Sequence, residues 1–128
     1  MASAQCTLFL LLALLGLSQA FQTGIVQESG FGDESECPVR PWTTAQSEAR
    51  ERFIPIVFDK PYTATPDIVL SFVRQDVKYD SVVGTSLRLL TEARDVTPEG
   101  FTLYIGTWCY TYVYSAYVQW LAVPSVYA

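Results

Sequence analysis

Six aromatic side chains lie between Gly106 and Trp120, in the stretch GTWCYTYVYSAYVQW. Trp108 differs from the others because it stands at a predicted strand end beside a turn, where side chains often leave the core and contact ligands. An indole can stack on the apolar C–H face of a sugar, and the guanidinium of Arg88, on the preceding predicted strand, can donate to sugar hydroxyls. On spacing alone, core packing of Trp108 and a surface ion pair of Arg88 are the simpler interpretations.

The sequence contains no histidine, which excludes Ser/His/Asp and Cys/His catalytic systems and every histidine metal site. It also lacks a glycine-rich phosphate loop and a dinucleotide fingerprint. Two carboxylate pairs, Glu48 with Glu51 and Asp76 with Asp80, have the residue types that a glycosidase uses as acid and base, although solvated surface carboxylates are the simpler interpretation. We therefore predict a protein that is not an enzyme and needs no cofactor.

An acidic stretch, GDESE, offers oxygen ligands for Ca²⁺ from Asp33, Glu34 and Glu36. It lacks the twelve-residue pattern that makes a calcium loop specific, so an exposed acidic loop is the simpler interpretation and no metal site is predicted. The formal net charge is -5 and no Lys/Arg cluster occurs. Nucleic acid and anionic lipid are therefore poor candidate partners.

Residues 1–20 have the pattern of a secretory signal peptide, with an apolar run from Thr7 to Leu17 followed by the small residues Ser18 and Ala20. This run is too short for a transmembrane helix, and charged residues interrupt every later apolar run. We expect cleavage after Ala20 and a secreted, extracellular protein without membrane insertion. The part from residue 21 to residue 128 is long enough for one domain with one core.

Removal of the predicted signal takes Cys6 and leaves Cys37 and Cys109. In an oxidising compartment an even pair most simply forms one disulfide within the chain. A bond that joins subunits is the alternative, and the sequence leaves it open. The chain contains no asparagine, which excludes an N-linked glycan acceptor.

Alternation of apolar and polar residues predicts six strands and no helix, which is typical of an all-β sandwich or barrel. The predicted strands are a short one near TGIVQ, then RERFIPIVFDK, DIVLSFVRQDV, SLRLLTEARDV, FTLYIGTW and YVYSAYVQWLAV. Residues 28–48 are expected to be irregular, and Pro55 predicts an edge position or a bulge. One face of the last strand is predicted to hold Tyr112, Tyr114, Ala116, Val118 and Trp120.

Four motifs follow one another between Arg50 and Val123: FIPIVFDKPYTATPDIVLSF, QDV, SLRLL and TPEGFTLYIGTWCYTYVYSAYVQW. In this order and spacing they resemble the H-type lectin family, typified by the Roman-snail agglutinin and the C-terminal domain of the discoidins. The resemblance implies a six-stranded antiparallel β-sandwich that assembles as a trimer, sometimes paired into a hexamer. It divides the chain into a signal peptide (1–20), a strand with an irregular segment (21–48) and a lectin-like sandwich (49–128).

The resemblance also implies sugar sites that lie at junctions between protomers and need no metal. Arg88 and Trp108 stand where the family's motif has its sugar-contacting arginine and tryptophan. Ser47 stands where family members commonly carry an aspartate that accepts hydrogen bonds from sugar hydroxyls. Because a serine is a weaker acceptor than a carboxylate, we expect a lower affinity or a different preferred sugar.

Cys109 is a second departure, because it follows the site tryptophan at a position that can be histidine or another polar residue in the family. A disulfide between Cys109 and Cys37 would brace the rim of the site. Tyr110 would then be a possible additional contact.

The sequence therefore predicts a secreted lectin that recognises galactose-type sugars, N-acetylgalactosamine above all, and crosslinks glycans as a homotrimer or hexamer. Agglutination, cell adhesion and innate recognition of foreign or egg-coat glycans would follow from this activity. The alternative is a non-catalytic β-sandwich adhesion or structural module that binds protein, with its aromatic residues in the core and the interface.

Overall fold

A computed structural model describes residues 19–32, 50–79, 87–107 and 111–125. Within these ranges all regular structure is β-strand, and no helix there is long and apolar enough to cross a membrane. The strands are β1 (Gln22–Gly32), β2 (Glu51–Val57), β3 (Asp67–Tyr79), β4 (Leu89–Thr97), β5 (Gly100–Thr107) and β6 (Thr111–Val123).

The six strands form two antiparallel three-stranded sheets, as the alternation predicts. We call the sheet with strand order β1-β6-β3 sheet A, and the sheet with order β2-β5-β4 sheet B. Each sheet contributes its apolar face to one shared core, so every strand carries inward residues at alternate positions. The predicted all-β, six-stranded antiparallel architecture is confirmed.

The core is densest along the two central strands, β5 and β6. On β5, Leu103 and Ile105 are fully buried and Phe101 is 4% exposed, so these three residues form the inward face of this strand. Phe101 packs edge-on against Trp120 of β6, with ring centroids 5.7 Å apart. Burying large apolar side chains of this kind is worth about 1.5 to 3 kcal/mol each, so this layer dominates the stability of the sandwich.

Residues 28–48 are not irregular throughout, because β1 continues to Gly32. Residues 28–32 pair with β6, and Phe31 enters the core with 2% exposure opposite Val113. The glycines at positions 30 and 32 give the segment a loop-like composition, but their positive φ angles of 65° and 102° let the strand bend and continue.

The predicted face of β6 is wrong for two of its tyrosines. Asp76 of β3 pairs with Ser115 and Val77 pairs with Val113, which leaves Tyr114 as an extra residue on β6. Such a bulge moves the following side chains to the other face. Tyr112 and Tyr114 therefore lie on the outer face of sheet A, where their rings are 5.0 Å apart, while Ala116, Val118 and Trp120 point inward.

Edge positions agree with the sequence patterns. β2 is an edge strand of sheet B, so Pro55, which has no backbone N–H to donate, is accommodated as predicted. β3 is an edge strand of sheet A with Ile68, Leu70 and Phe72 packed against the core. The opposite face of β3, which carries Val69 and Val73, is exposed.

Candidate functional site

Arg88 lies immediately before β4 and is exposed. Thr107, the last residue of β5, donates a hydrogen bond from its Oγ1 to the backbone carbonyl of Arg88 at 3.0 Å. The next residue of β4, Leu89, pairs directly with Thr107. The backbone of the predicted sugar-binding arginine is therefore fixed against the residue that immediately precedes Trp108 in sequence.

Thr107 also holds the start of β2. Its backbone N–H donates to the carbonyl of Arg50 at 3.0 Å. Arg50 is 2% exposed and Thr107 is 7% exposed, so this junction is shielded from solvent. Arg50 is the described residue nearest in sequence to Ser47. We call the end of sheet B formed by Arg50, Arg88 and Thr107 the site end.

β1 and β6 close against the same junction. A Cβ on Gly32 would lie 3.3 Å from Cγ2 of Thr107 and would overlap the backbone carbonyl oxygen of Thr111. With its φ of 102°, this position requires glycine. Thr107 is therefore enclosed by chain from sheet A as well as from sheet B.

Tyr104 and Glu51 form the next polar contact along the outer face of sheet B. The Tyr104 hydroxyl donates to Oε1 of Glu51 at 2.9 Å. Burial raises the pKa of the Tyr104 phenol to about 12, and the hydrogen bond and negative charge of Glu51 act in the same direction. Glu51 thus has a structural hydrogen bond, which weakens its interpretation as one half of a glycosidase pair; Glu48 lies outside the described residues.

Gly106 makes room for this contact. A Cβ at Gly106 would fall on the hydroxyl end of the Tyr104 side chain. The missing side chain lets the phenol lean along β5 toward Glu51, which pairs with Gly106 across the β2–β5 ladder. The outer surface next to the site end is consequently formed by a protonated phenol and a carboxylate.

Most of the predicted site residues lie outside the described ranges, and their roles stay predictions. The structure describes Arg88. It does not describe the predicted sugar contacts and disulfide partners Ser47, Trp108, Cys109, Tyr110 and Cys37. The acidic stretch considered for calcium also lies outside. Within the described ranges no group of three or more Cys, Asp or Glu residues is arranged to hold a metal ion.

Sequence reasoning missed Thr107 and the Tyr104–Glu51 pair. A threonine at a strand end is common, and its two partners are separated from it by 19 and 57 residues along the chain. Only the pairing register of β2, β5 and β4 brings them together. The GTW sequence offered a weak signal, since Gly106 in a strand interior indicates a close approach of another group.

The sequence profile of the H-type lectin domain matches residues 54–123. This match begins within β2 and ends with β6, so it includes the strand ends at Arg88 and Thr107. A protein of Fuscovulum blasticum named for ORF 7 of the ATP synthase subunits region is 30% identical over 77 residues, which are 60% of this chain and 64% of that protein. The chain therefore aligns with less than two thirds of that relative.

Solved structures of discoidin II from Dictyostelium discoideum share the fold. The native structure of the recombinant protein superimposes with a TM-score of 0.57 and 23% identity, covering 82% of this chain and 36% of that chain. The wild-type structure gives a TM-score of 0.55 and 23% identity, covering 80% and 35%. In both cases the matching part is about a third of the longer discoidin II chain.

Proposed function

Because the chain belongs to the H-type lectin domain family, we propose that it is a secreted, non-catalytic lectin that recognises galactose-type sugars, N-acetylgalactosamine above all. The observation that carries this proposal is the pair of hydrogen bonds made by Thr107. They tie the backbone of Arg88 and the start of β2 to the residue before Trp108. A sugar contact made by Arg88 and Trp108, which lie on two different chain segments, needs such a rigid junction, because mobile binding groups must be ordered on binding.

Trp108 stacks on the apolar face of the sugar ring in this proposal, and Arg88 donates to its hydroxyls. Arg88 is suited to this role because its side chain is exposed while its backbone is fixed. Ser47, from the loop of an adjacent protomer, accepts a hydrogen bond from the sugar, and Tyr110 adds a contact. No step requires a metal or a cofactor.

A disulfide between Cys37 and Cys109 braces the rim of the proposed site. Cys109 follows Trp108 directly, so a covalent link there would restrict the loop that carries the stacking indole. In the chain-entropy account, a link between residues so far apart contributes about 4 kcal/mol to folding stability.

The outer face of sheet A is the proposed contact between protomers of a homotrimer. Ile25, Val69 and Val73 are 62%, 54% and 51% exposed on this face. Uncharged polar residues lie between them, and a groove of about 310 Å³ runs beside Val69 and Leu121. We call Ile25, Val69, Val73 and Leu121 the seam patch. Exposed apolar side chains with an arginine at their border, here Arg74 beside Val73, are the composition of an interface centre and its rim rather than of free surface.

Several sugar sites on one rigid trimer, or on two trimers paired as a hexamer, crosslink glycans. Linking weak sites in this way raises avidity by about 10²-fold or more without any new contact. Agglutination of glycan-bearing cells follows, and a role in adhesion or in innate recognition of foreign glycans fits a secreted protein.

A Trp108→Ala variant tests the proposal against the alternative of a protein-binding adhesion module. The lectin should lose binding to immobilised N-acetylgalactosamine while keeping its oligomeric state. Loss of assembly or of stability with unchanged sugar binding would favour the adhesion module instead. A glycan-binding screen of the unmodified protein completes the test: no galactose-type or N-acetylated glycan bound, at any salt or calcium concentration, would refute the lectin assignment. Release of free sugar from an oligosaccharide would refute the non-catalytic assignment.

A further inference from the structure

Three planar groups, one from each strand of sheet B, meet on its outer face. The rings of Phe53 on β2 and Tyr104 on β5 lie 5.2 Å apart. The guanidinium carbon of Arg94 on β4 lies 3.6 Å from the centre of the Tyr104 ring and 5.7 Å from that of Phe53. We call Phe53, Tyr104 and Arg94 the planar cluster.

The backbone and the charges around Arg94 hold it over the Tyr104 ring. Its Nη2 lies 2.7 Å from Oε2 of Glu92, and its Nε donates to the same oxygen at 2.9 Å. The β4–β5 register shifts immediately after Arg94, and Asp95 adopts a φ of 51°. A bulge of this kind redirects a side chain, and a positive φ in a residue other than glycine is maintained only where the surroundings enforce it.

Phe53 leaves more than half of its surface exposed, at 56%, although it contacts Tyr104. The guanidinium of Arg94 supplies donors near the exposed ring, and the carboxylates of Glu92 and Glu51, bonded to Arg94 and Tyr104, supply acceptors in the same cluster. An apolar ring with donors and acceptors at its rim suits a sugar, which has an apolar C–H face and a ring of hydroxyls. Two carboxylates against one guanidinium leave the surface net negative, so it favours a neutral ligand over an anionic one.

The planar cluster continues the surface of the site end. Tyr104 and Thr107 point to opposite faces of β5, but Tyr104 lies only about 10 Å along the strand from the end of β5 at the site end. Glu92 follows Arg88 by four residues on the neighbouring strand, and it pairs with Tyr104 across the ladder. A chain of sugars whose terminal unit is bound beside Arg88 can therefore extend along the outer face of sheet B toward Phe53.

We propose that the planar cluster is a second carbohydrate-contact surface, which binds the inner units of a neutral oligosaccharide whose terminal sugar occupies the site end. This inference rests on the proposed lectin function. Phe53 stacks on an inner sugar ring, Arg94 donates to its hydroxyls, and Tyr104 supports both from below. The preferred ligand is then an oligosaccharide rather than a single sugar.

Calorimetric titration separates the two surfaces. The protein is titrated with N-acetylgalactosamine and with a neutral trisaccharide that has N-acetylgalactosamine at its non-reducing end. The wild-type protein should bind the trisaccharide about 3- to 10-fold more tightly than the monosaccharide, because one good stacking contact has about that value. In Phe53→Ala the trisaccharide should lose this advantage while the monosaccharide affinity stays unchanged.

Two further variants make the result specific. Val57→Ala removes another exposed apolar side chain from the same strand and face, 78% exposed, and should keep the trisaccharide advantage. Phe53→Leu keeps an apolar side chain without a ring and should lose most of the trisaccharide advantage. Thermal unfolding of each variant checks that the fold is intact.

The outcomes distinguish this inference from the proposed function. A trisaccharide advantage that is absent in the wild type, or that persists in Phe53→Ala, would overturn the second surface while leaving the lectin function in place. Binding of a partner protein through Phe53, together with equal affinities for the trisaccharide and the monosaccharide, would overturn the second surface as well. Failure of the wild type to bind either sugar would refute the proposed function, and this inference with it.

Discussion

The hydroxyl of Thr107 should control sugar affinity through the backbone of Arg88. A Thr107→Val variant keeps the branched shape of the side chain and removes only the hydrogen bond from Oγ1 to the Arg88 carbonyl, which is 3.0 Å long. The other bond of Thr107, from its backbone N–H to the Arg50 carbonyl, is unaffected by this change. The substitution therefore loosens the start of β4 selectively.

The stability that Thr107→Val is expected to lose follows from the burial of the junction. Thr107 is 7% exposed, and the loss of one hydrogen bond in such a position lowers the free energy of unfolding by about 1 kcal/mol. In a domain of about 100 residues this lowers Tm by about 4 to 8 °C. If Arg88 loses its fixed position as well, the affinity for N-acetylgalactosamine should fall by about 3- to 10-fold, since hydrogen bonds to charged groups depend strongly on geometry.

Affinity measured at 20 °C, well below the unfolding transition, separates positioning from stability. Thr107→Ser retains the hydroxyl and serves as the matched control, with near wild-type affinity expected. The reasoning is refuted if Thr107→Val binds the sugar as tightly as wild type while its Tm falls, because the hydroxyl would then stabilise the fold without positioning Arg88.

Three further predictions concern the rest of the sandwich. The folded state raises the pKa of Tyr104 from 10.0 to about 12, so the stability that the protonated phenol contributes is complete below pH 10 and is lost as the pH rises to 12. Between pH 9 and pH 11.5 the free energy of unfolding, measured with denaturant, should fall by about 2 kcal/mol less in Tyr104→Phe than in wild type. Equal falls in the two proteins would contradict this assignment. Ile25→Asp in the seam patch should abolish the proposed trimer in size-exclusion chromatography with light scattering, whereas Val57→Asp on the other sheet should keep it; a trimer that survives Ile25→Asp would place the contact elsewhere. Gly24→Ala would bring a Cβ to 2.7 Å from Nε1 of Trp120 and should destabilise the core by about 1 to 3 kcal/mol, so an unchanged Tm would show that the indole can move aside.

The sequence predicts the strands well where alternation is strict. Leu103 and Ile105 alternate with Thr102, Tyr104 and Gly106 in the predicted strand FTLYIGTW, and both are fully buried. The sequence predicts a short β1 because residues 28–48 are rich in Gly, Ser, Thr, Pro and acidic residues and show no sustained period. The continuation of β1 depends on pairing with β6, and residues 80 or more positions away in sequence leave no local signal in β1.

The face of β6 shows why register cannot be obtained from one strand alone. Tyr112 and Tyr114 alternate correctly with Val113, and Ala116, Val118 and Trp120 are also spaced by two. A single residue without a partner on β3, Tyr114 at the end of the first set, places the two sets on opposite faces. Nothing in the composition of the stretch marks Tyr114 as that residue.

The candidate site was predictable only in part. Arg88 and Trp108 were proposed because their residue types suit a sugar and because the sequence resembles a lectin family. The junction that fixes Arg88 was not predictable, since Thr107 joins residues distant in sequence. The position of Arg94 over Tyr104 depends in turn on the bulge at Asp95, which is a property of sheet pairing rather than of the local sequence.

The central claim is that sugar is bound at the site end of sheet B through the side chain of Arg88. The most direct test is a calorimetric titration of Arg88→Ala with N-acetylgalactosamine, beside Lys60→Ala. Lys60 is an exposed cation that follows β2 at the opposite end of the strands from the site end, where its backbone carbonyl accepts a hydrogen bond from Gln22. We expect Arg88→Ala to lose about 10-fold or more in affinity while remaining folded, and Lys60→Ala to bind like wild type. Equal affinity of the two variants would contradict the claim.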